Sequence, residues 1–326
     1  MPPSFTGLMR HVFYEASVRL VQVEANRRMV KRLRRERPSS FPFISADTFR
    51  SLADTLIEDR VVVRRHQHNF RSIVFVDMSE FHGGEAHFQD SRSLVLLERE
   101  LSSGRPKPVV IMHNGDKLPA RSLMDQIVGR SHHLFASNLL QETRTSTALP
   151  VGLENVYRYQ NGLLEDFVRF RDNPDVGNRP RLVFSAFNVA TNRPVREPLS
   201  EELRSSRFGW HPTRINRSDY RSLLLETMFV LSPEGNGSDC HRTWEAIYLG
   251  AVPVVLRGSL APSLVKELPI IAVDSFTEFL KLGDAELREA YWSSVQTTPE
   301  RAFMPYWVDR IREEARKGEE GGDRRG

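Results

Sequence analysis

Two short apolar stretches, at residues 72–77 (SIVFVD) and 108–113 (PVVIMH), constrain the fold more than any other feature of the sequence. Each is rich in β-branched residues and almost continuously hydrophobic, which is typical of strands buried on both faces of a parallel sheet. Residues 91–101 between them have helical periodicity. A strand, a helix and a strand in this succession form a βαβ unit, so the sequence predicts an α/β fold.

A second alternating series follows a polar segment at residues 173–180 that contains two prolines. Further short strands of the first sheet are predicted at 134–137 and 147–151. The second series is predicted to have strands at 181–187, 228–232 and 252–256, and helices at 194–205 and 242–249. Two such series indicate two Rossmann-like domains with parallel sheets that face one cleft.

These patterns divide the chain into five parts. We predict a basic N-terminal helix or arm at residues 1–40, followed by two Rossmann-like domains at 41–174 and 175–298. A helix at 299–316 is predicted to cross back to the first domain, and residues 317–326 are predicted to form a disordered tail rich in glycine and charge.

The positive charge is concentrated in the N-terminal arm. The chain has 46 Lys and Arg against 42 Asp and Glu, a net charge of +4, but residues 1–37 alone carry +6 and the rest carries −2. The body is therefore not a basic nucleic-acid-binding surface, and we expect no specific nucleic-acid partner. The amphipathic helix predicted at residues 8–35 either packs on the body with a solvated basic face or contacts an anionic membrane surface or polyanionic substrate.

The sequence also excludes several kinds of site and location. Its single cysteine, Cys240, rules out an intrachain disulfide and a cysteine-cluster metal site. No apolar run approaches the roughly 18–20 residues of a membrane-spanning helix, and the N-terminus lacks the apolar core of a signal peptide. We expect a cytoplasmic protein, with a peripheral position at the inner face of the membrane as the alternative that the basic arm allows.

Residues 231–258 hold the densest group of chemically informative side chains. Gly235 and Gly237 lie in a loop between a predicted strand and a helix that begins near Asp239. Glycine permits positive φ and close approach of a ligand to the backbone, and the free N–H groups of a helix start favour an anion. The loop therefore has the outline of a phosphate site.

Two charged side chains follow on the predicted helix. Arg242, in its first turn, can donate paired hydrogen bonds to a diphosphate. Glu245 lies on the same helix face; because phosphates repel a carboxylate, it is better placed on ribose hydroxyls. The alternative is an ordinary helix start, capped by Asp239, with Arg242 and Glu245 in a surface ion pair.

This segment resembles the exostosin-type glycosyltransferases, whose C-terminal domain carries the pattern P-x-G-x(n)-R-x-x-E-A-x-x-x-G-x-x-P-V. The matching residues, in order, are Pro233, Gly235, Arg242, Glu245, Ala246, Gly250, Pro253 and Val254. The resemblance implies a GT-B fold, with residues 41–174 on the acceptor side and 175–298 holding the nucleotide-sugar donor. It also implies that Arg242 contacts the donor diphosphate, that Glu245 contacts its ribose, and that transfer inverts the anomeric carbon.

Further stretches are similar to the same superfamily. Residues 184–196 (FSAFNVATNRPVR) resemble the segment that places an arginine near the donor phosphates in exostosin-like and, more weakly, α-fucosyltransferase-like enzymes. The alternative for this segment is a capped helix with a solvated arginine. Residues 43–50, 113–116 and 149–155 resemble the N-terminal half of bacterial exostosin-like proteins, so the resemblance covers roughly residues 41–310. The predicted donor-binding residues are Arg196, Asn188, Asn192, Glu234, Gly235, Asn236, Gly237, Asp239, His241, Arg242 and Glu245.

The catalytic base is sought among polar residues that follow the strands of the first domain, because an inverting transfer needs a group to take the acceptor proton. We predict Asp116 first and His113 second. Asp77, Glu80 and His82 follow the preceding strand. In the alternative, Asp116 closes a polar turn and Asp77 caps a helix, and neither contacts substrate.

No metal site is predicted. His66 and His68, and the adjacent His132 and His133, lack a nearby acidic group at ligand spacing. Although Asp77, Glu80 and His82 offer ligating atoms, the acidic DxD-type motif of metal-dependent glycosyltransferases is missing. Cys240, beside a histidine at a helix start, is a weak candidate nucleophile.

The resulting expectation is a metal-independent, inverting glycosyltransferase that moves a hexose or pentose in polysaccharide biosynthesis. It needs no cofactor; its donor substrate is a UDP- or GDP-sugar, and its acceptor is a carbohydrate or lipid-linked glycan. Two alternatives remain at this point. One is a sugar-nucleotide epimerase or hydrolase on the same fold, and the other is a non-catalytic polyanion-binding protein with a degenerate transferase fold.

Overall fold

A computed structural model describes most of the chain. The described residues are 28–29, 31–32, 35–65, 73–103, 106–158, 162, 164–171, 179–209, 215–295 and 300–323. Nearly all of the helix predicted at residues 8–35, the segment 173–178, and His66 and His68 lie outside this part of the chain.

The first half builds a six-stranded sheet with strand order β2-β1-β3-β4-β5-β6. All pairings are parallel except the antiparallel hairpin of β1 and β2. The strands are β1 (Thr55–Glu58), β2 (Val61–Arg64), β3 (Ile73–Asp77), β4 (Val109–His113), β5 (His133–Ser137) and β6 (Ser146–Leu149). The helices of this half are α1 (Ala46–Ser51), α2 (Arg92–Leu101), α3 (Arg121–Arg130) and α4 (Glu165–Arg171).

The second half builds a four-stranded, fully parallel sheet with strand order β10-β9-β8-β7. The strands are β7 (Arg181–Phe184), β8 (Thr227–Leu231), β9 (Val252–Leu256) and β10 (Ile271–Val273). The helices are α5 (Arg193–Ser205), α6 (Arg217–Leu225), α7 (His241–Tyr248), α8 (Pro262–Glu267), α9 (Phe276–Leu280), α10 (Asp284–Ser294) and α11 (Met304–Asp323). Short 3₁₀ turns lie at Phe88–Asp90, Val189–Thr191 and Glu300–Ala302.

The chain is thus an α/β protein with predominantly parallel sheets, as the apolar runs predicted, and this architecture is compatible with a Rossmann-like fold. The central strands β3, β4, β5 and β8 are buried along their whole length. Apart from β2, the strands of each sheet follow one another in chain order, without the reversal found in doubly wound sheets.

Both sheets bury apolar side chains on both faces. Helices α2 and α3 cover one face of the six-stranded sheet, and α5, α9 and α10 cover one face of the four-stranded sheet. The remaining faces share one core with α1, α7 and α11, in which Trp244 and Trp307 are fully buried. This continuous core joins the two sheets, and α11 packs on β4 of the first sheet.

The C-terminal helix is longer than the sequence predicted. Helix α11 extends to Asp323, past residue 316, where we predicted a disordered tail. Lys317 pairs with Glu313 and Glu314 one turn earlier, and Gly318 lies against His132, so this segment stays helical. Residues 324–326 lie outside the described part. Among the helices that the structure describes, none is long and apolar enough to cross a membrane.

Candidate active-site cleft

A cleft of about 1510 Å³ lies where the carboxyl ends of both sheets meet. The segments after β3, β4 and β6 line one wall, and those after β7 and β8 line the other. The start of α6 closes the cleft beside the second wall. Ligands of parallel α/β sheets bind at the carboxyl ends of the strands, so this is the expected place for a substrate. Its ionisable lining residues include His113, Asp116, Glu154, Arg158, Arg196, Arg217, Tyr220, Arg221, Asp239, His241, Arg242 and Glu245.

Neither glycine of the predicted phosphate loop adopts positive φ, and both lie close to other groups of the protein. A Cβ at Gly235 would lie 3.0 Å from Arg196 Nη2. At Gly237 it would lie 3.0 Å from Asn138 Oδ1 and 3.1 Å from the carbonyl oxygen of Asp116, both in the first half. A side chain at either position would therefore crowd neighbouring groups of the protein.

Asp239 ties this loop to the opposite wall. Its buried carboxylate accepts hydrogen bonds from the Val151 N–H at 2.8 Å and from Trp244 Nε1 at 2.9 Å, and its own N–H donates to Asn138 Oδ1 at 3.0 Å. Burial raises the pKa of Asp239 to about 6, although these hydrogen bonds act in the opposite direction. The side chain is therefore structural, and it does not cap the helix.

Helix α7 instead begins at His241, with Cys240 at the N-cap and no capping hydrogen bond from its side chain. The N–H groups of the first turn lie at the cleft, where the positive end of the helix dipole favours an anion. Arg242 is in this turn and lines the cleft. Its buried Nη1 has no hydrogen-bond partner among the described residues. The start of α7 therefore offers a guanidinium and backbone donors to the same ligand.

Arg196 is engaged differently. Its guanidinium donates to the carbonyl oxygens of Glu234 at 2.7 Å, Asn188 at 2.8 Å and Pro233 at 3.0 Å, and to the hydroxyl of Thr191. Burial and then the nearby Arg242 lower the pKa of Arg196 to about 10. Arg196 therefore fastens the loops that follow β7 and β8, and it is not the solvated arginine of the alternative interpretation. Because these contacts occupy its N–H groups, Arg196 has fewer donors left for a ligand than Arg242 has.

The other donor-site candidates divide into two groups. Asn188 and Asn236 are exposed and line the cleft with the two loop glycines. Asn192 and Glu234 lie beside the cleft and are not part of its lining. Burial raises the pKa of Glu234, with Lys117 acting in the opposite direction.

Glu245 does not pair with Arg242. Its Oε1 lies 2.9 Å from Nη2 of Arg221, on α6, and it also accepts a hydrogen bond from Tyr220. Arg221 in turn lies 4.4 Å from the centre of the Phe167 ring. Burial and the adjacent Glu245 raise the pKa of Tyr220. The interpretation as a surface ion pair was wrong; α6 holds the carboxylate of Glu245 at the cleft wall.

The two predicted bases have different environments. His113 is 2% exposed; its Nε2 donates to the Pro150 carbonyl oxygen at 2.9 Å, and its Nδ1 accepts from the Asn114 N–H at 2.7 Å. Burial lowers the pKa of His113 to about 4. Because both ring nitrogens bond within the fold, the structure does not support His113 as a base. Asp116 is exposed and lines the cleft.

The candidate residues at the end of β3 and just after it, Asp77, Glu80 and His82, are not part of the cleft lining. Asp77 accepts hydrogen bonds from Arg37 at 3.1 Å, from Asn114 at 3.0 Å and from the Ser79 N–H at 2.9 Å. Glu80 pairs with Arg60 at 3.1 Å. The described residues include no group of three or more His, Cys, Asp or Glu side chains that could hold a metal ion.

One pair in the cleft was not predicted from the sequence. His241 Nδ1 lies 2.8 Å from the carbonyl oxygen of Gly152, and its Nε2 lies 3.5 Å from Oε1 of Glu154. Burial opposes protonation of His241, but Glu154 and this carbonyl outweigh it, and the pKa of His241 is raised. Glu154 is in the stretch LPVGLEN, and the sequence alone assigns this residue no role. Nothing local in the sequence indicates that it meets His241.

Comparison of the chain with models of known protein families and with curated proteins finds no match.

Proposed function

We propose that this protein is a glycosyltransferase of the GT-B type, which transfers a sugar from a nucleoside diphosphate sugar to an acceptor hydroxyl. The observation that carries the proposal is the start of α7 at the cleft. There, within the described part of the chain, the helix N-terminus has no side-chain cap, and the buried Nη1 of Arg242 has no hydrogen-bond partner. Arg242 lines the cleft at the carboxyl edge of the second sheet. Backbone N–H groups, a helix dipole and a guanidinium together form a site for a diphosphate.

The same groups suit the chemistry of transfer. When the bond from the anomeric carbon to the diphosphate breaks, negative charge increases on the leaving β-phosphate. Fixed donors stabilise such charge without reorganising, and they do so best in a cleft that excludes water. Arg242 and the first turn of α7 supply these donors from this chain's own residues, so the proposal requires no metal ion.

The proposal assigns a donor wall and an acceptor wall to the two sheets. Under the GT-B proposal, the second sheet with α6 and α7 binds the nucleotide, and the segments after β4 and β6 bind the acceptor. Glu245 supports this assignment, because Arg221 and Tyr220 hold its carboxylate on the donor wall, within the lining. We infer that Glu245 accepts hydrogen bonds from the ribose hydroxyls.

The experiment that tests this function is a thermal-shift screen of UDP, GDP and representative UDP- and GDP-sugars against the full chain. A ligand that binds the native state raises its stability by RT ln(1 + [L]/Kd), so one nucleotide series should raise the Tm and the other should not. Adenosine diphosphate serves as a control for non-specific binding of a diphosphate. Absence of a shift with every UDP and GDP compound would contradict the proposal.

Product analysis distinguishes transfer from the alternatives on the same fold. A glycosyltransferase releases UDP or GDP at a rate that a carbohydrate acceptor increases, and it forms a new glycoside. A hydrolase releases the nucleotide together with free sugar whether or not an acceptor is present. An epimerase yields an altered sugar product without needing an acceptor.

A further inference from the structure

We propose that Glu154 is the general base that takes the proton from the acceptor hydroxyl, and that His241 is the positioning residue that holds its carboxylate. This inference rests on the proposed glycosyltransferase function and names the group on which transfer depends.

The position of Glu154 fits this role. It lies in the segment after β6, on the proposed acceptor wall, and its side chain is 25% exposed and lines the cleft. Its partner His241 is the first residue of α7, next to Arg242 on the donor wall. The pair therefore spans the cleft beside the site proposed for the leaving diphosphate, which is where an acceptor oxygen must approach the anomeric carbon.

The hydrogen bonding of His241 determines which ring nitrogen faces Glu154. A carbonyl oxygen only accepts, so Nδ1 of His241 must donate to Gly152 at 2.8 Å. Nε2 is then the nitrogen that gains or loses a proton, and it faces Oε1 of Glu154 at 3.5 Å. When it is protonated, the ring is a cation 3.5 Å from the carboxylate and orients it. The 3.5 Å separation also allows a hydroxyl oxygen to lie about 2.8 Å from both groups.

Three other ionisable groups of the lining are already engaged within the protein. The carboxylate of Asp239 accepts from Val151 and Trp244, that of Glu245 accepts from Arg221, and both ring nitrogens of His113 are bonded. Asp116 remains, but it lies on an exposed turn without a cation paired to it among the described residues. Glu154 combines access to the cleft with a partner that orients it.

The transfer step balances with these groups alone. The acceptor hydroxyl gives its proton to Glu154 while its oxygen forms a bond to the anomeric carbon of the donor. The bond from that carbon to the β-phosphate oxygen breaks, and its electron pair stays on the diphosphate, beside Arg242 and the first turn of α7. Glu154 then releases the proton to water.

The test compares Glu154→Gln with wild type and with Glu289→Gln, a control on an exposed position of α10. Glutamine keeps the size of the side chain but cannot take a proton. Release of UDP or GDP is measured from UDP-glucose, UDP-galactose, UDP-N-acetylglucosamine and GDP-mannose, with methyl glycosides or water as acceptor. Calorimetry with UDP and GDP measures nucleotide binding separately.

We expect Glu154→Gln to lower nucleotide release at least about 100-fold, the lower range for loss of a general base, while nucleotide affinity and Tm stay near wild type. The control variant should keep full activity. If Glu154→Gln retains activity within threefold of wild type, the inference is overturned. If wild type itself neither binds nor turns over any of the donors, the proposed function fails instead. Should Glu154→Gln not fold, Glu154→Asp keeps the charge but retracts it, and activity equal to wild type in that variant would also overturn the inference.

The positioning role of His241 has its own test, the pH dependence of kcat. The charged or titratable groups that face this imidazole are Glu154, Asp239, Glu245 and His113. Wild-type kcat should fall as the pH rises through the pKa of His241, because the cation that orients Glu154 is lost. His241→Gln should have a lower kcat without this alkaline decrease, whereas an unchanged pH profile would contradict the role.

Discussion

The carboxylate of Asp239 accepts a hydrogen bond from the backbone N–H of Val151 at 2.8 Å, so the loop after β8 is attached directly to the segment after β6. These two segments belong to different sheets and form opposite walls of the cleft. Trp244 donates to the same carboxylate from the first turns of α7. This buried side chain is therefore a direct link between the proposed donor wall and the proposed acceptor wall.

Replacing Asp239 by asparagine should destabilise the protein. Both carboxylate oxygens accept from N–H groups, so the amide NH₂ would face another donor and leave it unsatisfied. We expect the free energy of unfolding to fall by about 1–3 kcal/mol, measured by denaturant titration. Asp125→Asn, at an exposed position of α3, is the matched control and should change it little. Equal stability of the two variants would show that Asp239 does not hold the loop after β8 to the segment after β6.

Arg196 and Arg242 should differ in what they stabilise. Arg196→Ala removes the donor from the carbonyl oxygens of Glu234, Asn188 and Pro233, and should lower the free energy of unfolding by at least about 2 kcal/mol. Arg242→Ala breaks no hydrogen bond within the described residues and should cost less than about 1 kcal/mol. Thermal unfolding of the two variants checks this difference, and the opposite order of stabilities would contradict the roles assigned to these arginines.

Arg37 links the N-terminal arm to the body. Its side chain, 11% exposed, lies 2.6 Å from Asp47, 3.0 Å from Glu58 and 3.1 Å from Asp77. Burial raises the pKa of Asp47, and Arg37 acts in the opposite direction. Because Arg37→Ala leaves three carboxylates without this cation, it should lower the free energy of unfolding by about 3–5 kcal/mol.

The exposed Arg35 is the control for Arg37, since Arg35→Ala should leave the stability near wild type. Any truncation that tests the basic arm should also keep Arg37. A chain that starts at residue 38 should be much less stable than one that starts at residue 35. Equal melting temperatures for the two truncated chains would contradict the anchoring role.

Stability should fall as the pH is lowered from 7 to 4. Burial lowers the pKa of His113 and of His133 to about 4, so the unfolded chain binds two protons below pH 6.5 that the folded chain does not bind. Each histidine thus contributes on the order of 3 kcal/mol above pH 6.5 that is lost by about pH 4. Groups with a raised pKa act in the opposite direction and reduce the net decrease; they are Asp239, whose pKa is about 6, and Asp47, Glu234 and His241. Denaturant titrations across this range should show the decrease.

The variant His133→Gln separates this mechanism from general acid denaturation. His133 is not part of the cleft lining, and its Nε2 lies 2.8 Å from Thr147 Oγ1. A glutamine at this position keeps a polar partner for the Thr147 hydroxyl. Its free energy of unfolding should depend less steeply on pH between 6.5 and 4. A slope identical to wild type would contradict a contribution from His133.

The sequence predicted the strands that are apolar along their whole length, because burial on both faces leaves a continuous hydrophobic run, as in β3 and β4. It did not predict the hairpin of β1 and β2, since β1 contains the buried, ion-paired Glu58 and the side chains of β2 are mostly exposed. It predicted a glycine loop, an arginine and a glutamate at one helix start, because these lie close together in the chain.

The partners of these residues could not be predicted, because they come from distant segments. Arg221 for Glu245 and Glu154 for His241 are examples. The same limit explains why a surface ion pair of Arg242 and Glu245 was a possible interpretation of the sequence, and why His113 was a candidate base. A histidine at the end of a strand has the same local sequence whether its nitrogens face a substrate or, as here, Pro150 and Asn114. Only the tertiary contacts decide between the two.

The central claim is that the start of α7 binds a nucleoside diphosphate through Arg242. Calorimetric titration of UDP and GDP into wild type, Arg242→Ala and the exposed control Arg288→Ala on α10 tests it most directly. We predict that one nucleotide binds wild type and the control with equal affinity. Loss of the charged hydrogen bonds should weaken binding to Arg242→Ala by at least about tenfold, or 1.4 kcal/mol. Equal affinity in all three proteins, or binding of neither nucleotide to wild type, would contradict the claim.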